Sequence, residues 1–138
     1  MAEQPEFDAF ISYSSRDEEW ASRFAAALQD QGVHAWFDRD QLEPGDHWQD
    51  KMQNALRTSP VFILILGAES ANKPWTYFEL GAALAGSKKI IPVLTGEVDV
   101  AELPPYLQSI QVLREKSPEE AGRRAAMAVE KRPLPAAG

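Results

Sequence analysis

At the start of the chain, apolar residues recur first at the spacing of a β-strand, then at the spacing of an α-helix, and then again at that of a strand. Residues 7–13 alternate large and small side chains, which is typical of a β-strand. Ser15 and Glu18 then have the spacing of a capping box, so we predict that a helix begins there. The apolar stripe of this helix is Trp20, Phe24 and Leu28. Gly32 is predicted to end the helix. A second, short strand is predicted at 33–37.

The middle of the chain repeats this alternation. The loop 38–45 is rich in charged and turn-forming residues, and Asp46 with Gln49 resembles another capping box. The helix predicted after it carries its apolar stripe at Trp48, Met52, Ala55 and Leu56. Residues 61–66 form an unbroken apolar run, which suits a central parallel strand buried on both faces.

The second half begins with a helix of aromatic and small residues, 74–85, whose first residue is a proline, as helix starts favour. Residues 88–94 predict a fourth strand, although the proline within it removes one donor from the hydrogen-bond ladder. After a long connection, a last short strand is predicted at 110–113. Ser117 is followed by a proline and then, at the third helical position, by a glutamate, which predicts the start of a C-terminal helix.

Strands that alternate with helices in this way predict an α/β fold with a parallel sheet and right-handed crossovers. In such folds ligands bind at the carboxyl ends of the strands. Three segments that follow strands, 12–15, 38–45 and 67–75, should therefore line one edge of the sheet. Trp75 and Glu79 belong to that same edge.

The overall composition restricts the class of protein. A chain of 138 residues has the length of one domain. Its 44% of hydrophobic and 25% of charged residues are ordinary for a soluble globular domain, and its net charge of −7 argues against nucleic acid or an anionic membrane as the main partner. The absence of cysteine excludes disulfides, thiolate catalysis and thiolate zinc sites. The sequence has neither a membrane-spanning apolar run nor the pattern of a signal peptide, so the expected location is the cytoplasm.

Glu79 is the candidate for chemistry within the predicted helix 74–85. Trp75 lies four positions before it, so the two side chains share one helix face. Glu79 is the only charge between Lys73 and Lys88, and the helix therefore offers it no cation. A carboxylate on a mostly apolar face should resist ionisation, which is typical of functional sites. A solvated glutamate beside a core tryptophan is the other interpretation, and periodicity alone leaves both open.

Several familiar chemistries lack their motifs. Asp38 and Asp40 have the spacing of calcium ligands, but Leu42 and Glu43 stand where a calcium loop needs an oxygen ligand and a glycine. The histidines lie near no G-x-S-x-G, and neither phosphate-binding glycine motif is present. A phosphate-receiving signalling domain would need an aspartate after the third strand, where this sequence has Gly67. The residues alone predict an α/β domain with one unusual carboxylate and name no reaction.

Three stretches resemble the TIR domain (Toll/interleukin-1 receptor and resistance protein domain). Residues 7–14 look like the first box of that family. Residues 39–45 are similar to the R-D-x-x-P-G of its second box, with one extra residue before the proline. Trp75 and Glu79 match the W-x-x-x-E signature of bacterial and other NAD-consuming TIR domains. The three motifs follow the family's order, and the resemblance implies a flavodoxin-like three-layer fold with a five-stranded parallel sheet.

The resemblance also implies an activity. Many bacterial, plant and axonal TIR domains cleave the nicotinamide–ribose bond of NAD+, and some cyclise the ADP-ribose product. Glu79 would be the catalytic residue, since a placed carboxylate can stabilise an oxocarbenium-like ribose. The substrate-binding residues would be Trp75, Tyr13, Ser14, Asp38 and Trp48. NAD+ is then the substrate, and neither a cofactor nor a metal is expected.

Enzymatic TIR domains commonly become active on assembly, so the expected partners are NAD+ and other TIR domains, in a homo-oligomer or filament. The self-association loop would contain Arg39, Asp40, Leu42, Pro44 and Gly45. The expected function is an NAD+ glycohydrolase in defence or signalling that gives nicotinamide and either ADP-ribose or a cyclic ADP-ribose isomer. A non-catalytic scaffold that binds other TIR domains is the alternative.

The resemblance places one TIR domain at 7–130, followed by a linker or tail at 131–138. The proline-rich tail leaves open whether a sensor domain follows. The sequence does not choose between the linear and the cyclic product.

Overall fold

The structure is a computed structural model that describes residues 7–13, 17–37, 54–67, 89–96, 98, 99, 101, 103 and 110–129. Its elements, in chain order, are β1 (Ala9–Ser12), α1 (Glu18–Asp30), β2 (Ala35–Trp36), β3 (Val61–Leu66), β4 (Lys89–Leu94), β5 (Leu113–Arg114) and α2 (Pro118–Ala128). Residues 54–58 are also helical. The helix predicted at 74–85 and the tail predicted at 131–138 lie outside the described residues.

The five strands form one parallel sheet in the order β2-β1-β3-β4-β5. Ala9 of β1 pairs with Ala35 of β2 on one side and with Val61 of β3 on the other. The α/β class and the five-stranded parallel sheet are therefore confirmed. The first strand lies inside the sheet, and the second lies at its edge.

Each face of the sheet is covered by its own apolar core. On β3 every side chain is buried, so the unbroken apolar run at 61–66 occupies the position predicted for it. Ile63 and Ile65 face a core that α1 and α2 complete. Phe62 and Leu64 face the opposite core, to which the helical segment 54–58 contributes. The residues of that segment that are buried there are Ala55 and Leu56, as their predicted stripe requires.

Helix α1 confirms its predicted stripe and end but not its predicted start. Phe24 and Leu28 are fully buried, and Trp20 donates its indole N–H to the carbonyl of Lys116 at 3.0 Å. Gly32 ends the helix with a φ of 87°, a value that glycine adopts without a steric penalty. The helix begins at Glu18 with Asp17 as its N-cap residue, so the start predicted at Ser15 was two residues too early.

Helix α2 begins as predicted. The Ser117 hydroxyl accepts a hydrogen bond from the backbone N–H of Glu120 at 3.2 Å, and Pro118 occupies the first turn. In a capping box the glutamate side chain would accept a hydrogen bond from the backbone N–H of the serine. Here the Glu120 carboxylate pairs with Arg123 and does not do so. The Ser117 N–H instead donates to the side chain of Glu115 at 3.5 Å.

Pro92 lies within β4 without breaking the ladder. The N–H groups of Lys89 and Thr95 both donate towards the β3 side, to Pro60 and Leu66. Because donors alternate along a strand, the nitrogen of Pro92 faces the β5 side, where pairing begins one residue later, at Val93. The proline therefore stands where no ladder donor is needed.

The last strand differs from its prediction. β5 covers Leu113–Arg114, whereas the strand was predicted at 110–113. Ile110 and Val112 are only partly buried and pack against the core that includes Phe62, so their apolar character reflects packing and not strand pairing. None of the helices in the described part of the chain has the length and apolar character needed to cross a membrane.

Candidate functional site

The strand order creates a topological switch point between β1 and β3. From β1 the chain continues to β2 on one side, whereas from β3 it continues to β4 on the other. The connections that follow these two neighbouring strands therefore diverge, and doubly wound sheets of this order bind ligands in the crevice that results. In this chain the switch point lies at Ser12 and Leu66, the carboxyl ends of the two strands, and a ligand crevice is expected beyond them.

Three segments with candidate residues leave the sheet beside this crevice. They follow Tyr13 after β1, Phe37 after β2 and Gly67 after β3. The three strands are direct neighbours, and adjacent strands lie about 4.8 Å apart, so the three exit points fall within roughly 10 Å. The first three strands therefore end at one edge of the sheet, as predicted, whereas residues 14, 15, 38–45 and 68–75 of the predicted segments lie outside the described residues.

Tyr13 is the predicted site residue that lies within the described part of the chain. The predicted residues outside it are Glu79, Trp75, Ser14, Asp38, Trp48, Arg39, Asp40, Leu42, Pro44 and Gly45. The catalytic, substrate-binding and self-association roles of these residues remain predictions.

Tyr13, at the end of β1, contacts Phe37, at the end of β2. Its half-buried ring stacks on Phe37, with ring centroids 4.8 Å apart and ring planes 16° apart. Both rings belong to the face of the sheet that α1 covers, so the stacked pair lies where β1 and β2 end.

The other side of the crevice contains a close contact between Asp17 and Gly67. Gly67 is buried and directly follows β3, and the carboxyl group of Asp17 lies against its Cα. A Cβ atom at position 67 would collide with Oδ1 of Asp17 and would lie 3.1 Å from Cγ and 3.2 Å from Oδ2. The first turn of α1 is thus packed against the end of β3.

Asp17 was missed by the sequence analysis, which assigned the capping role to Ser15. Two signals point to it. Aspartate is as good an N-cap residue as serine, and a glycine that directly follows a strand often marks a close approach of another group. Neither signal identifies the other partner, because the two residues are far apart in sequence.

His34 lies at the opposite end of the strands, away from the switch point. His34 precedes β2, and its ring lies 4.9 Å from that of Phe7, which precedes β1. Its backbone N–H donates to the carboxylate of Asp8 at 2.9 Å. Across the residues that the structure describes, no three His, Asp or Glu side chains are grouped closely enough to hold a metal ion.

Comparison with known proteins identifies relatives of this chain. A family model described as "TIR domain" matches residues 9–127. A protein of Acinetobacter baumannii named 2' cyclic ADP-D-ribose synthase is 36% identical over 95 residues, which cover 65% of this chain and 35% of the relative. A protein of Escherichia coli named NAD(+) hydrolase is 31% identical over 108 residues, or 72% of this chain and 34% of the relative. The chain thus spans about a third of the length of these relatives.

A solved structure shares the fold. It is a metazoan TIR-STING receptor from C. gigas in complex with 2',3'-cGAMP, which superposes with a TM-score of 0.74 at 26% identity. The match covers 95% of this chain and 42% of the receptor chain.

Proposed function

This chain belongs to the TIR-domain family, and on that premise we propose that it is an NAD+ glycohydrolase. The observation that carries the proposal is the 36% identity, over 95 residues, to a protein named 2' cyclic ADP-D-ribose synthase. A second relative is named an NAD(+) hydrolase. NAD+ is the substrate in the second name and contains the ADP-ribose unit of the first, and cleavage at the nicotinamide–ribose bond is the reaction that would serve both.

The fold supports this proposal because its strand order has the switch point at which doubly wound sheets form a crevice that binds nucleotides. Tyr13 and Phe37 wall it on one side, and Gly67 begins the segment that carries Trp75 and Glu79. The substrate-binding roles of Trp75, Tyr13, Ser14, Asp38 and Trp48 belong to this proposal.

In the proposed reaction the bond between the ribose anomeric carbon and the nicotinamide nitrogen breaks, and its electron pair leaves with nicotinamide. The ribose becomes oxocarbenium-like, and the Glu79 carboxylate stabilises the positive charge that develops on it. Addition of water to the anomeric carbon gives ADP-ribose and a proton. Addition of one of the ADP-ribosyl group's own hydroxyl oxygens, with release of its proton, gives a cyclic ADP-ribose isomer instead.

Self-association is the second part of the proposal. The segment 38–53 directly follows Phe37 in the sequence, and Phe37 lies at the strand end next to the switch point. The segment contains the residues Arg39, Asp40, Leu42, Pro44 and Gly45. A second copy of the chain that binds to this segment would lie close to the proposed NAD+ site. We therefore expect activity to rise when copies are brought together, in a defence or signalling role.

The test is to incubate the purified chain with NAD+, both free and clustered on a surface through an affinity tag, and to follow nicotinamide by chromatography. We expect nicotinamide release that increases with clustering, and the same traces separate ADP-ribose from a cyclic ADP-ribose isomer. Glu79→Ala and the isosteric Glu79→Gln should abolish release while circular dichroism shows an intact fold.

Two results would contradict the proposal. A folded Glu79→Gln chain with full activity would remove Glu79 from the reaction. No release from the clustered wild-type chain would favour the non-catalytic scaffold, which a TIR–TIR binding measurement would then test directly.

A further inference from the structure

Ser12 is the one polar residue in the three strands that meet at the switch point. β1, β2 and β3 are buried throughout, and every other residue in them is apolar. Ser12 ends β1, so it stands at the switch point itself, and it is only 7% exposed. A hydroxyl at such a position needs a physical reason, because burial of a polar group costs free energy unless the group is hydrogen-bonded.

The Ser12 hydroxyl makes no hydrogen bond within the part of the chain that the structure describes. Among the same residues, no side-chain oxygen or nitrogen is both sealed from solvent and without a hydrogen-bond partner. The hydroxyl oxygen of Ser12 therefore still reaches solvent, although the residue as a whole is buried. A group in this position can form its hydrogen bond with a molecule that enters from outside.

Ser59 shows how a buried serine serves the fold elsewhere in this chain. It is fully buried just before β3, at the end of the strands opposite to the switch point. Its hydroxyl donates to the carbonyl of Ala55 at 2.5 Å and so completes the end of the helical segment 54–58. Ser12 has the burial of such a core serine without the hydrogen bond that justifies it.

The surroundings of Ser12 indicate which chemical group its hydroxyl would bind. Alternation along β1 places it on the same face of the sheet as Phe10, whose ring stacks on Trp36 of β2 at 6.4 Å and on Phe62 of β3 at 5.8 Å. These three rings form an apolar layer below Ser12. One neutral hydroxyl, which both donates and accepts, suits another hydroxyl or a carboxamide. A phosphate favours cations or several N–H donors instead.

We propose that Ser12 is a substrate-binding residue that hydrogen-bonds a neutral polar group of NAD+ at the switch point, either a ribose hydroxyl or the nicotinamide carboxamide. This inference rests on the proposed function. The substrate supplies the hydrogen bond that the free chain lacks, so the hydroxyl contributes to binding and not to folding.

The first experiment measures steady-state nicotinamide release under clustered conditions, together with Tm, for Ser12→Ala and Ser12→Cys. For Ser12→Ala we expect KM to rise about 3- to 15-fold, which is the loss of one hydrogen bond between neutral groups, with kcat within about twofold. Its Tm should be unchanged or higher, because no unpaired hydroxyl is then buried. Ser12→Cys keeps the shape of serine but is a weak donor, so its KM should rise as well.

Ser59→Ala is the matched control, because it removes a buried hydroxyl that has a partner in the fold. We expect the opposite pattern there, with a lower Tm and an unchanged KM for the folded chain. The two serine variants therefore separate loss of a substrate contact from loss of a structural hydrogen bond.

The second experiment distinguishes the two groups of NAD+ by titrating the wild-type chain and Ser12→Ala with ADP-ribose and with nicotinamide in a calorimeter. ADP-ribose carries the ribose hydroxyls, and nicotinamide carries the carboxamide. Ser12→Ala should weaken the binding of one of these two products about 3- to 15-fold and leave that of the other within about twofold. The product that is weakened identifies the group that Ser12 binds.

The outcomes separate this inference from the function on which it rests. An inactive wild-type chain would overturn both. An active wild-type chain whose Ser12→Ala variant keeps its KM, or whose Tm falls as in Ser59→Ala, would overturn the role of Ser12 alone. The same holds if Ser12→Cys has the KM of the wild type, since volume would then be what matters, or if the affinity of neither product changes.

Discussion

Replacement of Gly122 by alanine tests the packing of the two helices that cover one face of the sheet. Gly122 is buried on α2, where a Cβ atom would lie 2.6 Å from the Cβ of Ala27 and 2.9 Å from the carbonyl oxygen of Phe24 on α1. The nitrogen of Leu28 would follow at 3.1 Å. Two of these three atoms are helix backbone, so the helices must separate to admit the methyl group.

Two effects oppose each other in Gly122→Ala. Replacing a glycine in a helix by alanine should stabilise the protein by about 0.5–1 kcal/mol, whereas overpacking a close interface costs about 1–3 kcal/mol. Because backbone atoms cannot move aside as a side chain can, we expect the packing cost to dominate. The net loss in the free energy of unfolding should be about 1–2 kcal/mol, which lowers Tm by roughly 4–8 °C in a chain of this size.

The assay is urea unfolding followed by circular dichroism, with the swapped pair Ala27→Gly/Gly122→Ala included. The swap removes the nearest obstacle, so its destabilisation should be smaller than the sum of the two single effects by at least about 0.5 kcal/mol. Ala26→Gly is the matched control, because Ala26 is exposed on α1 and carries the helix-propensity cost alone. A Gly122→Ala chain at least as stable as the wild type would refute the steric account.

Two further predictions concern α2. Ser117→Ala removes the hydroxyl that caps Glu120 and should lower the free energy of unfolding by about 1 kcal/mol with an unchanged m-value, whereas Ser117→Asn should retain most of it. A loss below 0.3 kcal/mol, roughly the noise expected between such measurements, would show that the cap is dispensable. The exposed ion pair between Arg23 and Glu119, with N···O distances of 2.6 and 2.8 Å, should give a coupling energy of about 0.2–1 kcal/mol in a double-mutant cycle to alanine. That coupling should shrink in high salt, and a value that salt leaves unchanged would contradict an exposed ionic interaction.

Local patterns predicted the parts of this fold that local physics determines. The run 61–66 is apolar at every position, which is typical of a parallel strand buried on both faces, and all six residues are buried in β3. The stripe that includes Phe24 and Leu28 has helix spacing, and both residues are fully buried on the sheet-facing side of α1. The glycine at position 32 ends that helix because no other residue adopts its φ as readily.

Features set by contacts between distant segments were predicted less well. The run 110–113 has strand composition, but where pairing begins depends on the length of β4 beside it, and the pairs formed are Val93–Leu113 and Leu94–Arg114. The start of α1 moved to Glu18 although Ser15 is a good capping residue. No pattern within either segment records the approach of Asp17 to the end of β3.

In the candidate site, too, local patterns predicted one feature and missed another that depends on distant contacts. Strand–helix alternation predicted that the ends of the first three strands would share an edge, and the order β2-β1-β3 confirms it. The pairing of Tyr13 with Phe37 could not be predicted, because stacking requires the lateral register of two strands that are separated by a helix.

The measurement that tests the central claim most directly is a proton NMR time course of NAD+ with the wild-type chain and with Glu79→Gln, each at several protein concentrations. The proton resonances of the nicotinamide group differ between intact NAD+ and free nicotinamide, so cleavage is observed without coupling enzymes. The account predicts that free nicotinamide appears with the wild-type chain, at a rate per chain that rises with concentration, and does not appear with the folded variant. Equal rates for the two chains, or intact NAD+ with both at every concentration, would contradict it.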